Sequence, residues 1–381
     1  MNNLKYQIMK KILRMVLEQR YLMFLMLSIG LISCGDDVDD PGNSGSNGGG
    51  ANSGSGLGAD DWLVPVGEVK DGGPGKDGIP ALTDPEFITA AEATFMLDDE
   101  LIVGYKFGDE VRAYPHRIFN WHEIVNDDLG GRKVTITHCP LTGTSLGWER
   151  VYDGKETTFG VSGLLYNTNL MPYDRTTNST WTQIGQECVN GELVGTKAEH
   201  FQVVETEWKR WLSMYPDTKV MSLNTGFSRN YNQYPYGSYR TQTGLSFSVS
   251  VTDDRRHQKE RAHGVIVAEK VKLYLFDSFE TRSMITDTFL GQKTIIIGSK
   301  EKNFIVSFLE KTIGNTVLEF TVVNDFDSNI LLKDQLGNEW DVFGNAVSGP
   351  NTGEKLEATN SFIGMFFSWA PFYGLPEIWA K

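Results

Sequence analysis

From Leu101 onward the chain never runs far without a turn signal, and this punctuation limits its fold more than any single motif does. Leu101 to Tyr105 and Glu110 to Tyr114 flank Phe107-Gly108-Asp109, which is the pattern of a hairpin. Lys133 to Thr137 alternates apolar and polar residues as a strand does. Short β-type runs follow at 156–161, 193–195 and 201–205. Six more, at 264–267, 272–276, 293–297, 304–308, 317–322 and 329–332, recur at roughly ten-residue spacing, as in a sandwich or barrel. Helical spacing is confined to 90–93 after Thr89, to His116–Val125, and to Thr206–Met214. No fixed-period repeat and no strand-helix-strand series is present. The expected fold class is β-rich α+β, with antiparallel sandwich or barrel-like sheets and a few short helices. A chain of 381 residues, 40% of them hydrophobic, can bury a large core. The expected organisation is one large domain over 61–381, or two intimate halves over about 61–240 and 241–381.

The amino terminus sets an address. Lys5, Lys10, Lys11, Arg14 and Arg20 precede an apolar run from Tyr21 to Ile32, too short for the ~20 residues a membrane-spanning helix needs. Residues 1–33 therefore read as a signal peptide. The run ends in Leu31-Ile32-Ser33-Cys34-Gly35, which resembles the lipobox of bacterial lipoproteins and implies lipidation at Cys34. Residues 34–60 are rich in Gly, Ser, Asn and Asp and have too little apolar surface to fold, so they read as a flexible tether. Within it, Asp36, Asp37, Asp39 and Asp40 resemble the export signal of surface-displayed lipoproteins and equally fit a solvated linker. The expected location is the cell envelope, as an outer-membrane lipoprotein facing the periplasm or the surface, with the membrane as partner through Cys34. Loss of the leader removes five basic residues and Glu18, taking the formal charge from −14 to −18 and arguing against a nucleic-acid partner.

Several longer motifs occur together and in order: AYPHRIFNWHEIVND, CPLTG closing a strand, FGVSGLLYN, YDRTTNSTWTQ, DRRHQKERAHGV, and DQLGNEWDVFGNAVSGP followed by FFSWAPFYG. Over about Asp61 to Trp379 the chain resembles the bacterial family catalogued as domain-of-unknown-function family 3179. The resemblance implies an exported protein of one shared fold and no established activity. Many members read CPLCG where this chain has Thr142 in Cys139-Pro140-Leu141-Thr142-Gly143, so a local two-cysteine centre is absent here.

Chemistry-bearing side chains concentrate between Tyr114 and Gln183. Cys139 ends a strand before Pro140, and three readings stay open for it: a reactive or metal-liganding thiol, a buried small residue, or a disulfide with Cys188. His122 is the imidazole best placed to serve Cys139 as general base or co-ligand of a single transition metal, or else it is structural. Glu123 follows it about 100° around a helix, which argues against the two sharing one metal. Strand alternation sends His138 to the face of Val134 and Ile136 and away from Cys139, so it reads as a core histidine, with His116 similar. His257 and His263 read as a charged turn. Asp174 and Arg175, with Tyr173 and Trp181, form either a substrate loop for an anion or an internal ion pair. Ser162 lacks the glycines of a nucleophile elbow. Two functions follow: a thiol- or metal-dependent enzyme at Cys139 and His122, or a binding lipoprotein whose Tyr231, Tyr234, Tyr236 and Tyr239 grip a small molecule or glycan.

Overall fold

The described residues all belong to one compact unit. The computed structural model describes residues 62–380 apart from 153, 281–282 and 324–327, so the expected signal peptide, Cys34 and the expected tether lie outside the described residues. Among the described residues the fold consists of several antiparallel sheets with few short helices and no closed barrel. Among the described residues no helix is long and apolar enough to cross a membrane.

Three five-stranded sheets surround the motif-rich region. The middle one is ordered His200–Phe201, Thr144–Glu149, Arg132–Cys139, Ile124–Leu129, Leu82–Thr83. A second sheet contains Val204–Glu207 beside the hairpin of Leu101–Phe107 and Glu110–Pro115, whose turn has Gly108 at φ 58°. A third contains Phe159–Tyr166, Asn169–Asp174 and Thr180–Thr182. The carboxy-terminal half adds a four-stranded sheet around Arg261–Val267 and a three-stranded meander over 284–309.

The Arg132–Cys139 strand is buried on both faces, and its alternation partitions two cores. Val134 and Ile136 join the larger apolar cluster with Ile118, Phe119 and Trp211, whereas Cys139 joins a second cluster with Trp148, Phe159 and Trp181. Close packing leaves no room for a side chain at two strand positions. A Cβ at Gly104 would stand 2.2 Å from the Trp211 ring, and one at Gly264 would stand 2.4 Å from Trp369.

The helix expected over His116–Val125 ends at His122. Glu123 takes φ 59° and ψ −30°, reversing the chain, and Ile124–Leu129 leaves as a strand paired antiparallel to Arg132–Cys139 through Gly130 and Gly131, both at positive φ. A left-handed residue and a two-glycine turn together make a hairpin where apolar spacing alone reads helix. The expected helix at 90–93 is a set of turns: the Glu92 carboxylate accepts from the Thr89 amide at 2.8 Å and from its hydroxyl at 2.6 Å, closing a cap that no helix follows. The expected strand at 193–195 is also a turn, and the helix expected from Thr206 starts at Trp208. Asn126 and Asp127 act as clamps. Asn126 accepts from the Phe159 amide at 2.7 Å, and Asp127 takes the Arg112 guanidinium at 2.6 Å with the Tyr114 hydroxyl at 2.7 Å.

Candidate functional site

The hairpin turn Pro140–Gly143 returns the chain from Cys139 into Thr144–Glu149, with Gly143 at φ 63° donating its amide to the Cys139 carbonyl at 2.8 Å. On this face Thr137, Thr144, Asn169 and Gln183 form a closed network. Gln183 Nε2 donates to Thr137 Oγ1 at 2.9 Å and to the Thr144 carbonyl at 3.2 Å, while its Oε1 accepts from Thr144 Oγ1 and Asn169 Nδ2, both at 2.7 Å.

Cys139 sits beside this network with 1% of its surface exposed and its Sγ 3.9 Å from the Thr168 carbonyl. Burial, and after it the charge of Glu123, pushes its thiol pKa up, the opposite of what a nucleophilic thiolate requires. Cys139 and Cys188 are both free, so the disulfide reading is not realised. His122 has both ring nitrogens engaged: Nδ1–H donates to the Pro80 carbonyl at 2.7 Å, which leaves Nε2 to accept from the Tyr231 hydroxyl at 2.7 Å. Burial lowers its pKa to about 4, so the ring is neutral. Those partners leave His122 no hydrogen bond for Cys139, and the structure does not join the two residues.

Glu123 is the residue brought to the Cys139 neighbourhood instead. It occupies the left-handed position between helix and strand, and its carbonyl accepts the His138 amide at 2.7 Å. The residue is 6% exposed, and its carboxyl accepts one hydrogen bond, from the Tyr236 hydroxyl at 2.7 Å. Burial pushes its pKa up to about 7, which that hydrogen bond only partly offsets. Glu123 and Tyr236 line a cavity of about 260 Å³ whose other walls include Leu141, Val161, Leu165, Leu170 and Phe247. A carboxyl on a strained residue, facing an apolar cavity, is the kind of group found at ligand and catalytic sites.

The four tyrosines do not form an open groove. Their hydroxyls reach back onto the helix end and the Pro140–Gly143 turn: Tyr231 to His122, Tyr236 to Glu123, Tyr234 to the Pro140 carbonyl at 3.3 Å and Tyr239 to the Leu141 carbonyl at 2.9 Å. Only Tyr236 lines the Glu123 cavity. The 227–239 segment is irregular, as its composition suggests, and serves as the cover of the site.

The Asp174-Arg175 loop is engaged internally. Asp174 accepts from the Thr177 amide at 2.7 Å and from Trp181 Nε1 at 3.2 Å. Arg175 donates to Asp77 at 2.8 Å and to the Phe159 carbonyl at 3.0 Å, and Tyr173 donates to the same Asp77. The same device recurs at Asp334, which accepts the Leu336 amide at 2.9 Å and Trp340 Nε1 at 2.9 Å. An aspartate that closes its own turn and caps a buried tryptophan explains the loop without a ligand.

Across the strand, His138 faces His116 with ring centroids 4.3 Å apart. Glu205, from the neighbouring Val204–Glu207 strand, completes a buried cluster of side chains able to hold a metal. Burial opposes ionisation of Glu205, but Arg261 and then His116 outweigh it and bring its pKa down to about 2. Neither Glu123 nor this cluster is visible as local spacing. His116, His138 and Glu205 come from three distant elements, and the only sequence signal, alternation placing His138 opposite Cys139, pointed to a core residue.

The family described as "Protein of unknown function (DUF3179)" matches residues 76–376. No curated protein matches the chain, and no solved structure does.

Proposed function

The chain belongs to that family, and we propose that it is an exported, membrane-anchored lipoprotein whose Glu123 cavity binds a small molecule with an apolar body and one cationic amino group. The observation that carries this reading is the Glu123 carboxyl: buried in an apolar wall, it takes one hydrogen bond, from Tyr236, and has no ion-pair partner among the described residues. A buried carboxylate without a counter-ion is costly, and a ligand ammonium supplies the missing charge while its apolar body displaces water from Leu141, Val161, Leu165 and Leu170. An anionic ligand is disfavoured by the same charge, and the apolar walls do not suit a glycan. Cys139 backs this site as a neutral thiol. The leader and Cys34 support the envelope address.

The full-length chain titrated with hexylamine, hexanol and hexanoate by calorimetry should bind them in that order of affinity. Glu123→Gln should erase the preference for the amine and leave hexanol unchanged. Equal binding of hexanoate and hexylamine by the wild type would end this reading. For the anchor, Cys34→Ala should abolish fatty-acid labelling and release the protein from the membrane fraction.

A further inference from the structure

The opposite face of the Arg132–Cys139 strand presents a separate site. His116 opens the helix after Glu110–Pro115, His138 is next to last in its strand, and Glu205 belongs to the strand that pairs with Leu101–Phe107. Their exposures are 4%, 1% and 6%, and one candidate ligand atom from each lies within 4.8 Å of the other two. His116 Nε2 is 3.3 Å from Glu205 Oε2. Bonds of ~2.1 Å to a tetrahedral ion place ligand atoms about 3.4 Å apart, so this edge already has the separation a metal imposes.

The hydrogen bonds around the cluster orient it. The Ser145 hydroxyl donates to Glu205 Oε2 at 3.1 Å, so its oxygen is free to accept from His138 Nδ1–H at 2.8 Å. That fixes the tautomer and leaves the lone pair of His138 on Nε2, which has no hydrogen-bond partner. His116 Nδ1 has none either, and the only polar neighbour of His116 Nε2 is the Glu205 carboxylate at 3.3 Å. Buried nitrogens without partners are uncommon and require an explanation. Arg261 pairs with Glu205 Oε1, which turns Oε2 toward the histidines. Beside the carboxylate lies a cavity of about 30 Å³, lined by Ser145, Glu205 and His263 and large enough for one water.

We propose that His116, His138 and Glu205 bind one divalent first-row transition metal ion, with Nε2 of each imidazole and Oε2 of Glu205 as protein ligands. Two imidazoles and a carboxylate suit ions of the zinc and cobalt type, and Ser145 and Arg261 are the outer partners that hold His138 and Glu205 in place. This site is independent of the Glu123 cavity, and neither Cys139 nor His122 contributes to it.

The test is titration of the chelator-stripped, full-length protein, purified without a polyhistidine tag, with zinc by calorimetry and with cobalt(II) by visible absorption. One equivalent should bind, with ligand-field bands and no thiolate charge-transfer band. His116→Gln, His138→Gln and Glu205→Gln should each weaken binding by more than about 100-fold, since even the loss of an outer partner costs 10–100-fold. Cys139→Ser should retain wild-type affinity. X-ray absorption of the wild-type zinc adduct should show a nitrogen and oxygen shell with two imidazoles, a readout that does not depend on the folding of any variant. Absence of stoichiometric binding, a sulfur shell, or folded variants with undiminished affinity would each overturn the assignment.

Discussion

On one face of the Arg132–Cys139 strand, Thr137 is tied through Gln183 to Thr144 and Asn169, and each of these buried polar side chains has a partner. On the other face, one position along, His138 Nε2 has none, beside a His116 whose Nδ1 has none and whose Nε2 meets only the Glu205 carboxylate. The two faces are equally dry and differ in what they leave unsatisfied. The Gln183 side is a knot of paired side chains next to a cavity lined by the Glu123 carboxyl; the histidine side brings three ligand-type atoms within 4.8 Å of one another. Burial of polar groups alone therefore does not identify a site. Nor does an unmet hydrogen bond by itself, since Trp148, Tyr215 and Trp369 also bury polar atoms without partners; it points to a site where it coincides with other ligand-type groups, as at His116, His138 and Glu205.

The largest expected effect tests the knot. Gln183→Leu leaves Thr137, Thr144 and Asn169 without their shared partner and should cost about 3–5 kcal/mol in urea unfolding. His138→Gln in metal-free protein should cost less, because Nε2 has no bond to lose and the single bond from Nδ1 to Ser145 is all that is at stake. A greater loss for His138→Gln than for Gln183→Leu would reverse the comparison.

Next in size is the charge at Glu123. A carboxyl raised in the folded state to about 7 binds its proton more tightly folded than unfolded, so stability falls as pH rises from the ordinary carboxylate range through about 7. Glu123→Gln should thus stabilise the protein by up to ~3 kcal/mol at pH 8 and by little at pH 4. Thermal melts across that range check it. A variant less stable than wild type at pH 8 would mean the carboxylate has a counter-charge and is part of the knot.

The smallest effect concerns Cys139. Treated as a buried apolar group, Cys139→Ala should cost about 1 kcal/mol, and Cys139→Ser should cost more because its hydroxyl needs a stronger partner than a carbonyl 3.9 Å away. Iodoacetamide should leave the native thiol unmodified at pH 8 while labelling the unfolded chain. Rapid native labelling would move Cys139 from wall to reactive group.

Much of the fold was legible in the chain. The hairpin around Gly108 and the alternation separating His138 from Cys139 appear as read, and so does most of the run of short carboxy-terminal strands, although the strand read over 317–322 is broken at Leu318 and Glu319. The errors lie where local spacing misleads. Ile118, Trp121, Ile124 and Val125 fit one helical face, yet Glu123 reverses the chain and Ile124 and Val125 become strand residues facing different cores. Thr89 and Glu92 form a cap that starts nothing. The tyrosines of 231–239, read as a surface that grips a ligand, turn their hydroxyls inward.

By itself, the sequence determined the β-rich class, the family, and the two faces of the central strand, because strand periodicity and turn chemistry act over a few residues. Only the tertiary structure decided which polar residues matter. Glu123 gains its character from apolar walls contributed by the Pro140–Gly143 turn and the Phe159–Tyr166 and Asn169–Asp174 strands. His116, His138 and Glu205 meet because a helix start and two sheets converge. Burial and convergence arise from contacts between residues far apart in the chain, and no local pattern encodes them.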